Sequence, residues 1–98
     1  MTIKIYQAKS DVNFKFMGFR FVEKFFKGNV NFDTNYKLVY EFEESHQGSK
    51  DSLLESVFMR FQGTKPSGYK GHSLSVSDIV EVDGVKYYVD SFDFKSLD

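Results

Sequence analysis

Alternating hydrophobic and polar residues predict two strands in the first half of the chain. Ile3 to Ala8, IKIYQA, alternates and contains β-branched and aromatic residues, as a half-buried strand does. Tyr36 to Phe42, YKLVYEF, alternates in the same way. A regular alternation places every second residue on one face of this second strand, namely Tyr36, Leu38, Tyr40 and Phe42.

Two further strand-forming runs flank the dipeptide Asp83-Gly84. The runs Asp78 to Asp83 and Val85 to Ser91 are rich in valine, isoleucine and tyrosine. An Asp-Gly pair favours a two-residue type I′ turn, because glycine adopts positive φ at no steric cost. The pattern therefore predicts a tight hairpin.

Two segments have the apolar spacing of helices. The first covers about residues 16–27 and ends at Gly28, and the second begins with Asp51 or Ser52 as its cap and stops at Gly63. The element order is then β-α-β-α-β-β. We expect one small α+β domain over residues 1–98, with about four antiparallel or mixed strands and both helices on one face.

The composition excludes several classes of protein and raises the question of a partner surface. The absence of cysteine excludes disulfides and thiolate chemistry, and no apolar run approaches the ~20 residues that cross a membrane. The N-terminus lacks the features of a signal peptide, so we expect a cytoplasmic protein. Twelve Phe and six Tyr are more than a small core readily hides, so these rings form either the core or, in part, a surface for a partner.

The charge is almost balanced but unevenly distributed. Residues 1–40 hold seven Lys or Arg against three Asp or Glu, and residues 41–98 hold six against eleven. The basic half interleaves aromatic rings with cations, which is a candidate surface for single-stranded nucleic acid: Lys15, Arg20, Lys24 and Lys27. The acidic half offers carboxylates that suit a basic groove on an enzyme that handles nucleic acid: Glu41, Glu43 and Glu44.

The stretch GHSLSVSD, residues 71–78, contains the residue types of a catalytic or a metal site. A serine nucleophile would need a base and an orienting carboxylate, but His72 and Ser73 are sequence neighbours and the G-x-S-x-G elbow is absent. A metal would need several converging ligands, and the chain has only His46 and His72 without a ligand spacing. We therefore expect no catalytic residue, no metal and no cofactor.

Two interpretations of GHSLSVSD remain. In the favoured one the segment is structural, with serine hydroxyls and the Asp78 carboxylate bonded to nearby backbone and His72 pinning the loop. In the other one it is a binding loop that faces a partner. The candidate residues are the same in both interpretations: His72, Ser73, Ser75, Ser77 and Asp78.

The C-terminal third resembles the YodL-like domain family of Firmicutes and their mobile elements. The resemblance rests on GYKGHSLSVSDIVEVDGVKYYVDSFDF, with Tyr69 to Val80 and Tyr87 to Ser91 matching most closely. IKIYQAKSD and NYKLVYEFE resemble the first two strands of the family. One position departs from the family pattern, since Asp93 stands where the pattern has glycine; if that glycine has positive φ, the aspartate costs some strain.

The resemblance implies an accessory protein of conjugative elements or phages and establishes no catalytic residue. We expect a non-enzymatic protein that binds and inhibits a host protein, with a defence nuclease of the CRISPR or restriction type as the most concrete target. The alternative is a nucleic-acid-binding accessory protein for conjugative transfer, which the balanced charge makes less expected. The sequence predicts no membrane partner and leaves the oligomeric state open.

Overall fold

The structure, a computed structural model, describes residues 1–9, 35–63, 65–91 and 93–97. The helix predicted over residues 16–27 lies outside these ranges. The four cations of the candidate nucleic-acid surface lie outside them as well: Lys15, Arg20, Lys24 and Lys27.

The described residues form an α+β domain of five strands and one helix. In chain order the elements are β1 (Thr2–Ala8), β2 (Tyr36–Glu43), α1 (Lys50–Arg60), β3 (Ile79–Val82), β4 (Val85–Val89) and β5 (Phe94–Ser96). The sheet order is β2-β1-β3-β4-β5, and every neighbouring pair is antiparallel. The expectation of about four strands is corrected to five, because β5 is only three residues long and has no alternating pattern of its own.

The hairpin between β3 and β4 turns at Asp83-Gly84. Asp83 has φ 48° and Gly84 has φ 89°, which is the pair of positive angles that a type I′ turn requires. The Asp83 carboxylate also accepts a hydrogen bond from the backbone N–H of Thr2 at 2.8 Å. This contact joins the hairpin to the start of β1.

A β-bulge in β2 overturns the regular alternation expected there. Ile5 pairs with Tyr40 and Tyr6 pairs with Leu38, so Val39 is an extra residue on the β2 side. The extra residue shifts the inward position by one: Leu38 is 47% exposed, whereas Val39 is 3% exposed and lies in the core. The prediction that Leu38 lies on the same face as Tyr40 and Phe42 is therefore wrong.

Helix α1 covers one face of the sheet. It begins after Ser49, whose hydroxyl accepts from the Ser52 N–H at 3.1 Å, so the cap is Ser49 rather than Asp51 or Ser52. The helix ends at Arg60, before the predicted stop at Gly63. Its buried side chains form one core cluster with those of the sheet: Leu53, Leu54, Val57, Ile3, Ile5, Val80, Val82 and Val89.

Within the described ranges, no helix is both long enough and apolar enough to span a membrane.

Candidate functional site

The GHSLSVSD segment is tied to the first strand by the side chain of Gln7. This side chain is 0% exposed, and strand alternation places it on the same face as Ile3 and Ile5. Its Nε2 donates to the His72 carbonyl at 2.9 Å and to Asp78 Oδ2 at 3.0 Å, while its Oε1 accepts from the His72 N–H at 3.1 Å. One buried amide therefore holds both ends of the segment against β1.

Asp78 closes a turn at the entrance to β3. Its Oδ2 accepts from the Ser75 N–H at 2.8 Å, and its own N–H donates to the Ser75 carbonyl at 3.0 Å. Ser77, inside this turn, has φ 85°. The Asp78 carbonyl and the Ser77 N–H then bond to Val89, at 2.8 and 3.0 Å, so the turn leads directly into the β3–β4 ladder.

The His72 ring faces backbone rather than a serine hydroxyl. Its Nδ1 lies 2.7 Å from the Ser73 carbonyl oxygen. A carbonyl oxygen only accepts, so Nδ1 carries the proton and donates it. Gln7 Nε2 lies farther from this nitrogen, at 3.2 Å, and its closer contacts are to other acceptors. In this geometry His72 cannot use Nδ1 to remove a proton from Ser73.

Two serine hydroxyls of the segment bond to backbone groups, and the third serine accepts through its carbonyl. Ser73 Oγ donates to the Gln62 carbonyl at 3.1 Å, and Ser75 Oγ donates to the Ser73 carbonyl at 2.8 Å. Ser77 is buried, and its carbonyl accepts from the Tyr36 hydroxyl at 2.7 Å. The segment is thus a hydrogen-bonded connection between α1, β1 and the hairpin.

Several residues of this network were not among the sequence candidates. Tyr69 donates its hydroxyl to the His72 carbonyl at 2.9 Å, and Gly71 brings the backbone close to the Gln7 side chain. The signal for Gln7 was present, because it is a polar residue at the inward position that follows Ile3 and Ile5. For Tyr69 and Gly71, the sequence offered no indication of this role beyond their position in or next to GHSLSVSD.

The raised pKa values of three tyrosines lead us to expect that the fold loses stability at alkaline pH. Burial raises the pKa of Tyr69 to about 12, with the Asp78 carboxylate adding to the effect, and burial also raises the pKa values of Tyr36 and Tyr88. A raised pKa in the folded state means that the folded protein holds the phenol proton longer than the unfolded chain does. The free energy of unfolding is then fully retained below the unfolded-state value of about 10 and decreases as the pH rises from there to about 12.

The measurement is urea denaturation between pH 8 and 12, combined with the absorbance of tyrosinate. We expect tyrosine ionisation to coincide with unfolding, and Tyr69→Phe to reduce the steepness of the decrease above pH 10. A free energy of unfolding that stays constant from pH 9 to 12 would contradict this prediction.

The three acidic candidates lie on β2 or directly after it, and their carboxylates differ in exposure and in contacts. Glu41 and Glu43 are exposed, and Glu43 accepts from the Thr2 hydroxyl at 2.7 Å. Glu44 is half-buried and forms an ion pair with Arg60. Glu41 and Glu43 therefore face solvent, whereas the Glu44 carboxylate is engaged with the end of α1.

The hydrogen-bond pattern between β1 and β2 determines which backbone groups of β2 point away from β1. Met1 and Glu44 exchange two hydrogen bonds, at 2.8 and 2.9 Å, which fixes the alternation of the antiparallel ladder. Glu41 and Glu43 occupy the non-hydrogen-bonded positions opposite β1, so their N–H and C=O groups point away from it. In the sheet formed by the described ranges, β2 is an edge strand. The loop after α1 reaches this edge at one point, where the Lys70 N–H donates to the Val39 carbonyl at 3.0 Å.

A groove of about 380 Å³ lies beside this edge. Its described lining consists of three aromatic side chains, two basic side chains and one proline, namely Tyr40, Phe42, Phe61, Arg60, Lys65 and Pro66. The rings contact one another, with Phe42 and Phe61 at 5.6 Å between centroids, and the Arg60 guanidinium lies 5.5 Å from the centre of Phe42. The aromatic excess of the sequence therefore contributes partly exposed rings next to the acidic edge.

A metal centre is not formed by the parts of the chain that are described. No three His, Asp or Glu side chains in those parts come close enough to hold an ion. His46 lies instead beside Ser52, with Nε2 2.8 Å from Oγ.

These features define a small α+β domain whose motif segment is locked to the first strand by a buried amide. The chain belongs to the YodL-like domain family: the family model matches residues 2–98. No curated protein and no solved structure matches the chain.

Proposed function

We propose that this protein is a non-enzymatic accessory protein of a mobile element or phage. It binds a host protein in the cytoplasm and inhibits it, and the target is a defence nuclease of the CRISPR or restriction type. The resemblance to the YodL-like domain family supports the assignment to a mobile element or phage. The acidic β2 edge supports the mode of action.

The observation that carries the proposal is the combination of exposed carboxylates and outward-facing backbone on β2. Glu41 and Glu43 present negative charge, and their N–H and C=O groups are oriented to pair with an added strand. A nuclease has basic surfaces that bind nucleic acid. A basic extended segment of such an enzyme would gain main-chain hydrogen bonds and charge complementarity from the same short strand.

The geometry of GHSLSVSD supports the non-enzymatic part of the proposal. His72, Ser73 and Ser75 direct polar atoms to neighbouring carbonyl groups. Asp78 accepts from the Gln7 amide and the Ser75 N–H. Using these side chains for chemistry would require breaking the contacts that hold the segment to β1.

The experiment is a pull-down from native host lysate with the tagged protein, with and without nuclease treatment. We expect capture of a stoichiometric defence nuclease that survives the treatment, and inhibition of its DNA cleavage by the purified protein at micromolar concentration. Binding to no defence complex and inhibition of none would overturn the proposal. A yield that vanishes with nuclease and weakens steeply with salt would instead support the nucleic-acid alternative.

A matched pair of variants locates the interface. Glu41→Gln together with Glu43→Gln should weaken binding about tenfold, because each exposed charge contributes up to about 1 kcal/mol. The control Asp51→Asn removes an exposed carboxylate from the first turn of α1 and should leave binding unchanged. Equal effects of the two changes would show that the β2 edge is not the interface.

A further inference from the structure

A second groove lies at the opposite edge of the sheet from β2. It has a volume of about 320 Å³ and lies between α1 and the segment that joins β4 to β5. Its apolar part is formed by Val89, Met59 and the rings of Phe58 and Phe94, whose centroids are 6.4 Å apart in an edge-to-face arrangement. Met59 is 73% exposed at its rim. An exposed methionine beside two rings makes this an adaptable apolar surface.

The described lining of this groove is acidic. It contains three carboxylates and no basic residue: Glu55, Asp90 and Asp93. Lys95 approaches from outside the lining, with its Nζ 3.2 Å from Asp93 Oδ2.

We propose that this groove binds an arginine side chain of a partner protein. A guanidinium group is planar and always charged, stacks on aromatic rings and pairs with carboxylates. Its three-carbon stem can lie along the apolar floor while the charged head reaches the acidic rim. A volume near the lower end of the about 300–1,000 Å³ typical of ligand pockets suits a single side chain better than a larger ligand.

This inference deepens the proposed function, since it rests on the protein acting as a binding partner, but it places a second contact far from the first. Four strand spacings of about 4.8 Å separate β2 from β5, which is roughly 19 Å. The β2 edge and the second groove therefore lie at opposite edges of the sheet. An arginine of the partner would occupy this groove while an extended segment pairs with the β2 edge.

The test follows the methyl signal of Met59 by NMR while a short peptide is added. The probes are the tripeptides Gly-Arg-Gly and Gly-citrulline-Gly, which differ in the charge of one side chain and hardly in shape. We expect saturable shifts of the Met59 methyl with the arginine peptide, none with the citrulline peptide, and no shift of the Met1 methyl. Equal shifts with both peptides, or no saturable shift, would overturn the proposal.

Variants of the rim provide the second readout. Asp93→Asn or Glu55→Gln should weaken the arginine peptide about fivefold, which corresponds to about 1 kcal/mol for one exposed charge. Asp51→Asn, on the same helix but outside the groove, should leave the affinity unchanged, and an equal loss with this control would overturn the site. Because this assay needs no host partner, its failure removes the arginine site and leaves the β2 edge to be decided by the pull-down.

Discussion

Replacing Gly71 with alanine should lower the free energy of unfolding by about 3 kcal/mol. A Cβ atom at this position would lie 2.0 Å from Gln7 Oε1 and 3.0 Å from Val39 Cγ1. Gln7 cannot turn away without giving up its contacts to His72 and Asp78, and Val39 is held in the core by the bulge. The measurement is the urea midpoint and slope of the purified variant against the parent protein.

The matched control is Gly63→Ala. Among the residues that the structure describes, no heavy atom outside its chain neighbours lies within 4 Å of a Cβ built at Gly63, so we expect a change within about 0.5 kcal/mol. A Gly71→Ala variant as stable as Gly63→Ala would show that the Gln7 contact is not tight in solution.

Replacing Gln7 with alanine should have a still larger effect, about 4 kcal/mol. The change removes the donor to the His72 carbonyl and to the Asp78 carboxylate as well as the acceptor for the His72 N–H, and it leaves a cavity in place of a fully buried side chain. The measurement is again chemical denaturation, accompanied by hydrogen exchange of the His72 amide. That amide should become less protected before the remainder of the sheet does.

Two comparisons make this second prediction specific. Gln47→Ala removes the same side chain from an exposed loop position and should change stability by no more than about 0.5 kcal/mol. In the double variant Gln7→Ala with Gly71→Ala, the new methyl group no longer meets Oε1. The combined loss should then be clearly smaller than the sum of the two single losses. Strict additivity would mean that the two residues do not contact each other as the structure shows.

The parts of the fold that the sequence predicts well are those with a strong local signal. β1, the β3–β4 hairpin and α1 lie where alternation, Asp83-Gly84 and helical spacing place them. The bulge at Val39 carries no such signal, because Leu38 and Val39 are both good strand formers and only the tertiary packing decides which one points inward. β5 is missed for a related reason: three residues, mostly exposed, become a strand only because β4 offers them an edge.

The residue types of the candidate site could be predicted from the sequence, but their hydrogen-bond partners could not. The pattern of GHSLSVSD identifies residues that bond to backbone, and the structure shows which carbonyls they reach. The partner at the centre, Gln7, is distant in sequence from the segment. A single sequence gives its inward position in β1 but not the identity of the groups it meets.

The contact between Gln7 and Asp78 spans 71 positions of the chain, and β1 lies between β2 and β3 in the sheet. This interior strand is thus made well before the residues that satisfy its buried amide. During translation at about 5–20 residues per second, β1 has to wait several seconds for β3 and the motif segment. A topology with such distant pairings also implies slow folding relative to helical domains of this size. A nascent chain stalled before residue 78 should therefore remain sensitive to protease, and resistance should appear only once the hairpin has left the ribosome.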